Sequence, residues 1–209
     1  MQRRNSSEGT SSGDSHRVLA AFDDEGIWVY QAFRPSTVAA AVAKGTFGQG
    51  FGLDRMTWIK PSLGWMLHRS NYAASKRQEA IARIKVRRSG FDEILRSGVL
   101  TSFDPAIHES QDQWGRALRA TEVHVQWDPD RDLAGRPLAR RAIQLGLGGG
   151  MVRRYVNEWI ISVADFTSVA KAIQHALQSQ ALLPETPLET EYPVDEETRH
   201  RLAITGRRS

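Results

Sequence analysis

The stretch Glu122 to Trp127, EVHVQW, alternates apolar and polar side chains and runs into Asp128-Pro129. Side chains on a strand point to opposite faces in turn, so this spelling fits a strand with one buried and one polar face. The residue before a proline is steered out of the helical region, which makes Asp128 the expected strand end. A second period appears in Phe166 to Gln180, FTSVAKAIQHALQSQ, where apolar residues recur at helical spacing behind an Asp165 or Thr167 cap. A chain that spells both periods in separate segments is expected to fold as α+β: a mixed, mainly antiparallel sheet with packed helices.

The remaining segments extend that pattern. Val18, Leu19, Ile27, Val29 and Tyr30 flank the acidic turn Asp23-Asp24-Glu25-Gly26 and predict a hairpin of strands 16–22 and 26–33. Pro35 to Gly45, with a run of alanines between a leading proline and a closing glycine, predicts a short helix lying close to a sheet. Thr46 to Asp54, TFGQGFGLD, reads as a loop tethered by its phenylalanines and suited to framing a pocket. Met56 to Lys60 is expected as a strand, Pro61 as the break and Ser62 to Tyr72 as a helix, giving a strand-to-helix corner. Gln78 to Arg88 predicts a strand with a cationic outer face, with a helical extension the alternative for its first half. Further helices are expected over 91–96 and 106–118, and further strands over 142–147 and 158–163.

With 209 residues the chain suits one domain, expected over 16–182 between a polar leader, 1–15, and a tail, 183–209, with three prolines between 184 and 193. No apolar run approaches the length of a membrane span, so a soluble protein without a membrane partner is expected. The chain has no cysteine, which removes disulfides, thiolate nucleophiles and Cys-based metal sites and favours a cytoplasmic setting. The histidines are scattered singly and no HExxH pattern occurs, so no metal is expected. The Gly146 to Gly150 run, GLGGG, lacks GxGxxG spacing and reads as a loop rather than a dinucleotide cradle. A formal net charge of +4 favours anionic partners, with nucleotide and nucleic acid both fitting.

The corner Arg55 to Ser70, RMTWIKPSLGWMLHRS, concentrates aromatic and cationic side chains. Trp58 and Lys60 share one strand face, which presents an aromatic plane beside a cation, the pairing that stacks a base and meets its phosphate. Arg55 and Arg69 flank them; the alternative is that Trp58 and Trp65 are core or interface residues. WDPDRD at 127–132 lacks calcium-loop spacing and reads as a turn held by local salt bridges. Glu158, at the head of an apolar segment, is either a strand-end capping charge or a catalytic carboxylate.

Tyr30-Gln31-Ala32-Phe33, RMTWIKPS at 55–62 with Trp65, Met66 and Arg69-Ser70, QWDP at 126–129 with Arg131-Asp132, and RAIQLGL at 141–147 together resemble the family known as domain of unknown function 4291. The resemblance spans about residues 16 to 180. The chain departs from the bulkier family pattern at Gly64 and Leu67. A weaker likeness is to the ADP-ribosyltransferase superfamily: an early strand ending in Val29-Tyr30-Gln31, a helix of small residues, Gly45, and a late strand headed by Glu158. It implies an ADP-ribosyltransferase-like fold and transfer of ADP-ribose from NAD to a nucleic acid or protein acceptor. Gln31 would take the first-strand position, Trp58 with Lys60 and Ser62 the second, and Glu158 the third, with Tyr30, Arg55 and Arg69 around the ligand. Gln31 is not the residue usual at the first position. In such a site the glutamate stabilises positive charge as the nicotinamide bond breaks. The alternative is a non-catalytic nucleotide or nucleic-acid binding module using the same corner.

Overall fold

A computed structural model describes residues 15–48 and 50–205, so the expected leader lies outside the described residues except for Ser15. In chain order, β1 (Ser15–His16) and β2 (Leu19–Ala20) lead into β3 (Gly26–Phe33), α1 (Pro35–Lys44), β4 (Thr57–Ile59) and α2 (Leu63–Ser70). Then follow β5 (Ala80–Arg87), α3 (Arg88–Ser97), β6 (Val99–Leu100), α4 (Gln111–Ala120), β7 (Val123–Arg131) and β8 (Pro137–Leu147). The helix α5 (Gly149–Arg154) continues into a π-helical turn, Tyr155–Trp159, before β9 (Ile160–Asp165), α6 (Thr167–Ser179), β10 (Thr190–Glu191) and α7 (Glu196–Arg201).

Two main sheets organise these elements into an α+β fold. One is antiparallel in the order β3-β5-β9; in the other, β7 and β6 lie on one side of β8 while β1 and β4 pair with its other edge. The second sheet is mixed, because β1 runs parallel to β8 and β6 parallel to β7. Alternation decides what each face buries. Ile27 and Val29 of β3 and Ala82, Ile84 and Val86 of β5 join Val123, Val125, Ile143, Leu145 and Leu147 in the larger core. On the opposite face of the three-stranded sheet, Tyr30 and Ile81 pack with Leu63, Met66 and Leu67 of α2 and Ala170 and Ile173 of α6. Each valine, leucine, isoleucine or methionine among them contributes about 1.5–3 kcal/mol on burial.

The ends of α1 and α2 follow ordinary capping chemistry. Pro35 opens α1 and Gly45 closes it at φ 77°, a left-handed geometry that costs glycine least. Ser62 caps α2 by accepting from the Trp65 N–H at 3.3 Å. The departure at Gly64 has a packing reason: a side chain there would collide with the Arg131 carbonyl, so α2 lies directly against the end of β7.

Several expectations need correction. The first predicted strand is broken in two, β1 pairing with β8 and β2 with β10, and only a bridge between Phe22 and Ile27 closes the acidic turn. β7 continues through Pro129 to Arg131 with a register shift, because β6 pairs only with His124 and Val125 and leaves the proline at a free edge. A helix does begin in the glycine run; the Glu122 carboxylate accepts from Gly150 and Met151 N–H at 2.9 and 3.0 Å, so its first turn is already satisfied. Finally, the segment expected as a tail completes the domain. β10 pairs with β2, Tyr192 and Leu202 are buried in the larger core, and Tyr192 donates its hydroxyl to Asp92 at 2.6 Å.

Candidate functional site

The two sheets touch through β3 and β4. Tyr30 and Lys60 exchange backbone hydrogen bonds at 2.7 and 3.2 Å, and their strands then part. Beyond that bridge the Gln31 side chain spans the gap, donating to Thr57 Oγ1 at 2.7 Å and to the Trp58 carbonyl at 3.2 Å. Its amide oxygen accepts from the buried Tyr155 hydroxyl at 3.0 Å. A buried polar chain satisfied along its length fixes the fork rigidly.

A cleft of about 410 Å³ opens at this fork, between the ends of β3 and β4, the loop around Phe51 and helix α2. Five cationic side chains line it, Arg34, Arg55, Lys60, Arg69 and Arg77, and no aspartate or glutamate does among the described residues. The four arginines are exposed, so their heads are free to move onto an anion, while Lys60 is only 8% exposed. Phe47 and Phe51 stack at 4.3 Å, and Gly50, Phe51 and Gly52 line the cleft edge. Trp58 lies across Gly146: a Cβ there would stand 3.0 Å from the Trp58 ring and 2.8 Å from Met56 Sδ, so glycine lets the ring lie flat on β8.

Lys60 is the most perturbed group of the cleft. Its ammonium makes one hydrogen bond, to the Trp58 carbonyl at 3.3 Å, and lies 5.1 Å from the centre of the Trp65 ring. Burial and the nearby Arg69 charge push its pKa down to about 7, with Asp128 pulling the other way. Asp128 is itself held by two amides, Gln126 at 2.8 Å and Gln144 at 2.7 Å, and burial raises its pKa.

Of the residues singled out in the sequence, Gln31, Arg55, Trp58, Lys60 and Arg69 line one cleft. Tyr30 contributes the backbone bridge only; its ring packs on the other sheet face against Phe166. Ser62 points away, donating to the buried carboxylate of Asp130 at 2.8 Å, which also takes Arg140 at 2.7 Å. Glu158 does not line the cleft. It sits in the π-helical turn rather than on β9, exposed and ion-paired with Arg154 at 3.3 Å. Arg34 and Arg77 were missed, although their position just outside strand ends, where chains turn over a sheet edge, is a readable signal.

Among the described residues no cluster of three metal-ligating side chains occurs, and no helix is long and apolar enough to cross a membrane. Chemically, the arrangement offers distributed positive charge, an aromatic plane and fixed amide hydrogen bonding, the equipment for holding a phosphorylated, ring-bearing ligand. No curated protein matches the chain, whereas the family model described as a domain of unknown function, DUF4291, matches residues 17–192.

Proposed function

From a chain that belongs to the DUF4291 family, whose model covers residues 17–192, we propose a domain that binds a phosphorylated nucleotide in the cleft between β3 and β4. The observation that carries this reading is the lining of five cations without a carboxylate. Phosphate is the ligand group that meets several arginines at once through paired N–H donors, and Trp58 supplies the plane for a base or nicotinamide ring. A pyrophosphate nucleotide such as NAD presents two adjacent phosphates to the four arginines. Nucleotides are intracellular metabolites, in keeping with the cytoplasmic setting expected of a cysteine-free chain.

Calorimetric titration with ADP, NAD and inorganic pyrophosphate tests the reading. Saturable binding that weakens with salt is expected, and Arg69→Ala should cost about 1–3 kcal/mol, roughly 5- to 150-fold in affinity. No binding of any of the three at millimolar concentration would overturn it.

A second reading, transfer of ADP-ribose from NAD to a nucleic acid or protein acceptor, is favoured by one observation: Gln31, given the first-strand position in that resemblance, is a wall of the cleft. Glu158 lends it no support. Release of nicotinamide from NAD by the wild-type protein, lost in Gln31→Ala, distinguishes an enzyme from a binder.

A further inference from the structure

Lys60 is an uncommon group in its surroundings. A buried ammonium ordinarily has a carboxylate partner and further acceptors, because an unpaired interior charge is costly. Here the side chain is 8% exposed, its one hydrogen bond is a 3.3 Å contact to a carbonyl, the other charged residues of the cleft are arginines, and the favourable pull of Asp128 is outweighed by burial and Arg69. A lysine desolvated beside another cation sheds its proton readily and becomes a nucleophilic amine, the state used in imine-forming lysines. Lys60 also lines the cleft, beside Arg69 and Trp58.

We propose that Lys60 is the nucleophile of the cleft and condenses with the open-chain C1 aldehyde of a pentose phosphate held by the arginines. The inference rests on the phosphate-binding reading of the same cleft. An electrophile compatible with that reading is a pentose freed of its base, whose ring opens to an aldehyde at C1, a five-carbon chain away from the 5-phosphate. Anchoring the phosphate on Arg69 and Arg55 keeps that carbon near Nζ, which raises its effective concentration. The nitrogen lone pair forms a bond to C1 and the carbonyl π pair moves to oxygen. The two protons of the amine leave with that oxygen as water, giving a neutral imine with no change of oxidation state. ADP-ribose and a base-free deoxyribose within a DNA strand carry the same aldehyde and neighbouring phosphates.

Trapping with cyanoborohydride tests this, since reduction turns the imine into a stable secondary amine that mass spectrometry locates. The probes are ribose 5-phosphate, ADP-ribose and a single-stranded oligodeoxynucleotide with one abasic site. The expected result is a single adduct on Lys60, formed at least tenfold faster than on the other four lysines, suppressed by excess ADP and lost in Lys60→Arg. Faster trapping of ADP-ribose assigns a free nucleotide sugar as the source, and faster trapping of the oligonucleotide assigns the strand. Adducts spread evenly over the lysines, or no protection by ADP in the wild-type protein, would overturn the proposal whether or not the variant folds. If ADP binds but no adduct forms, the nucleophile fails and the nucleotide reading stands; if ADP does not bind, the underlying reading fails as well.

Discussion

Lys60, buried, and Glu189, half-buried, show how single groups contribute to the response of the fold to pH. Burial lowers the Lys60 pKa to about 7, aided by Arg69 on α2 and opposed by Asp128 on β7. Burial raises Glu189 to about 7, with the Leu63 N–H and Arg140 working against burial and Asp130 adding to it. For Glu189 the native state holds the proton more tightly than the unfolded chain, so its contribution to stability falls as pH rises from the ordinary glutamate value towards 7. For Lys60 the unfolded chain holds the proton more tightly, so stability rises from about pH 7 towards 10. The combined contribution of these two groups is therefore least favourable near neutrality. Lys60→Met should raise the melting temperature at pH 7, by on the order of 3 kcal/mol in stability, and flatten the alkaline limb in pH-dependent calorimetry. An unchanged alkaline limb would mean that Lys60 titrates normally. At Gly146 the constraint is steric: Gly146→Ala should displace the Trp58 ring at a cost of about 1–3 kcal/mol and weaken nucleotide binding, read by calorimetry alongside the melt.

At the scale of elements, the C-terminal segment makes the sharpest forecast. β10 adds to β2, Tyr192 sits between Phe22 and Phe91 at ring distances of 5.1 and 5.2 Å, and Leu202 and Ile204 are buried in the larger core. A chain ending at residue 182 loses all of these, each about 1.5–3 kcal/mol, against total stabilities of roughly 5–15 kcal/mol. It should be unfolded or insoluble by circular dichroism, and a native melt would return this segment to the status of a tail. The π-helical turn makes the converse forecast. Glu158 contacts Arg154 and, through its carbonyl, Arg87 at 3.3 Å, both away from the cleft. Glu158→Gln should therefore leave nucleotide affinity and any nicotinamide release unchanged and barely move the melt; lost turnover with an intact fold would restore it to a mechanism.

Across the whole molecule, the cleft exists because two sheets share one bridge and then diverge. Ligand binding at that junction ties β3 to β4 more firmly, so saturating nucleotide should stabilise the entire domain by about 2.7 kcal/mol at a hundredfold excess over its Kd. A matching rise in melting temperature is the check, and it should shrink in Arg69→Ala at the same nucleotide concentration.

How much of this was legible in the chain follows from what each signal encodes. Periodicity and turn chemistry report on a residue and its near neighbours, so EVHVQW, the helix 167–179, the corner at Pro61 and the loop 46–54 could all be read directly. Trp58 and Lys60 on one strand face was also a local inference, and with Gln31, Arg55 and Arg69 the cleft was mostly visible as residue types. Tertiary structure decided the rest. Arg34 and Arg77 join Lys60 only because β3 and β5 fold their ends to the same rim, and Ser62 turns from the cleft because Asp130, sixty-eight residues on, claims its hydroxyl. Glu158 reads as a strand head in sequence, yet the backbone winds a π-helical turn through Trp159 before β9 begins. Prolines and alternating charge at 184–197 read as a tail, whereas β2 supplies an open edge and the core a place for Tyr192. Local sequence sets the preferred backbone and which face is apolar; which faces meet depends on strand order and register between distant segments, and those are settled only when the whole core closes.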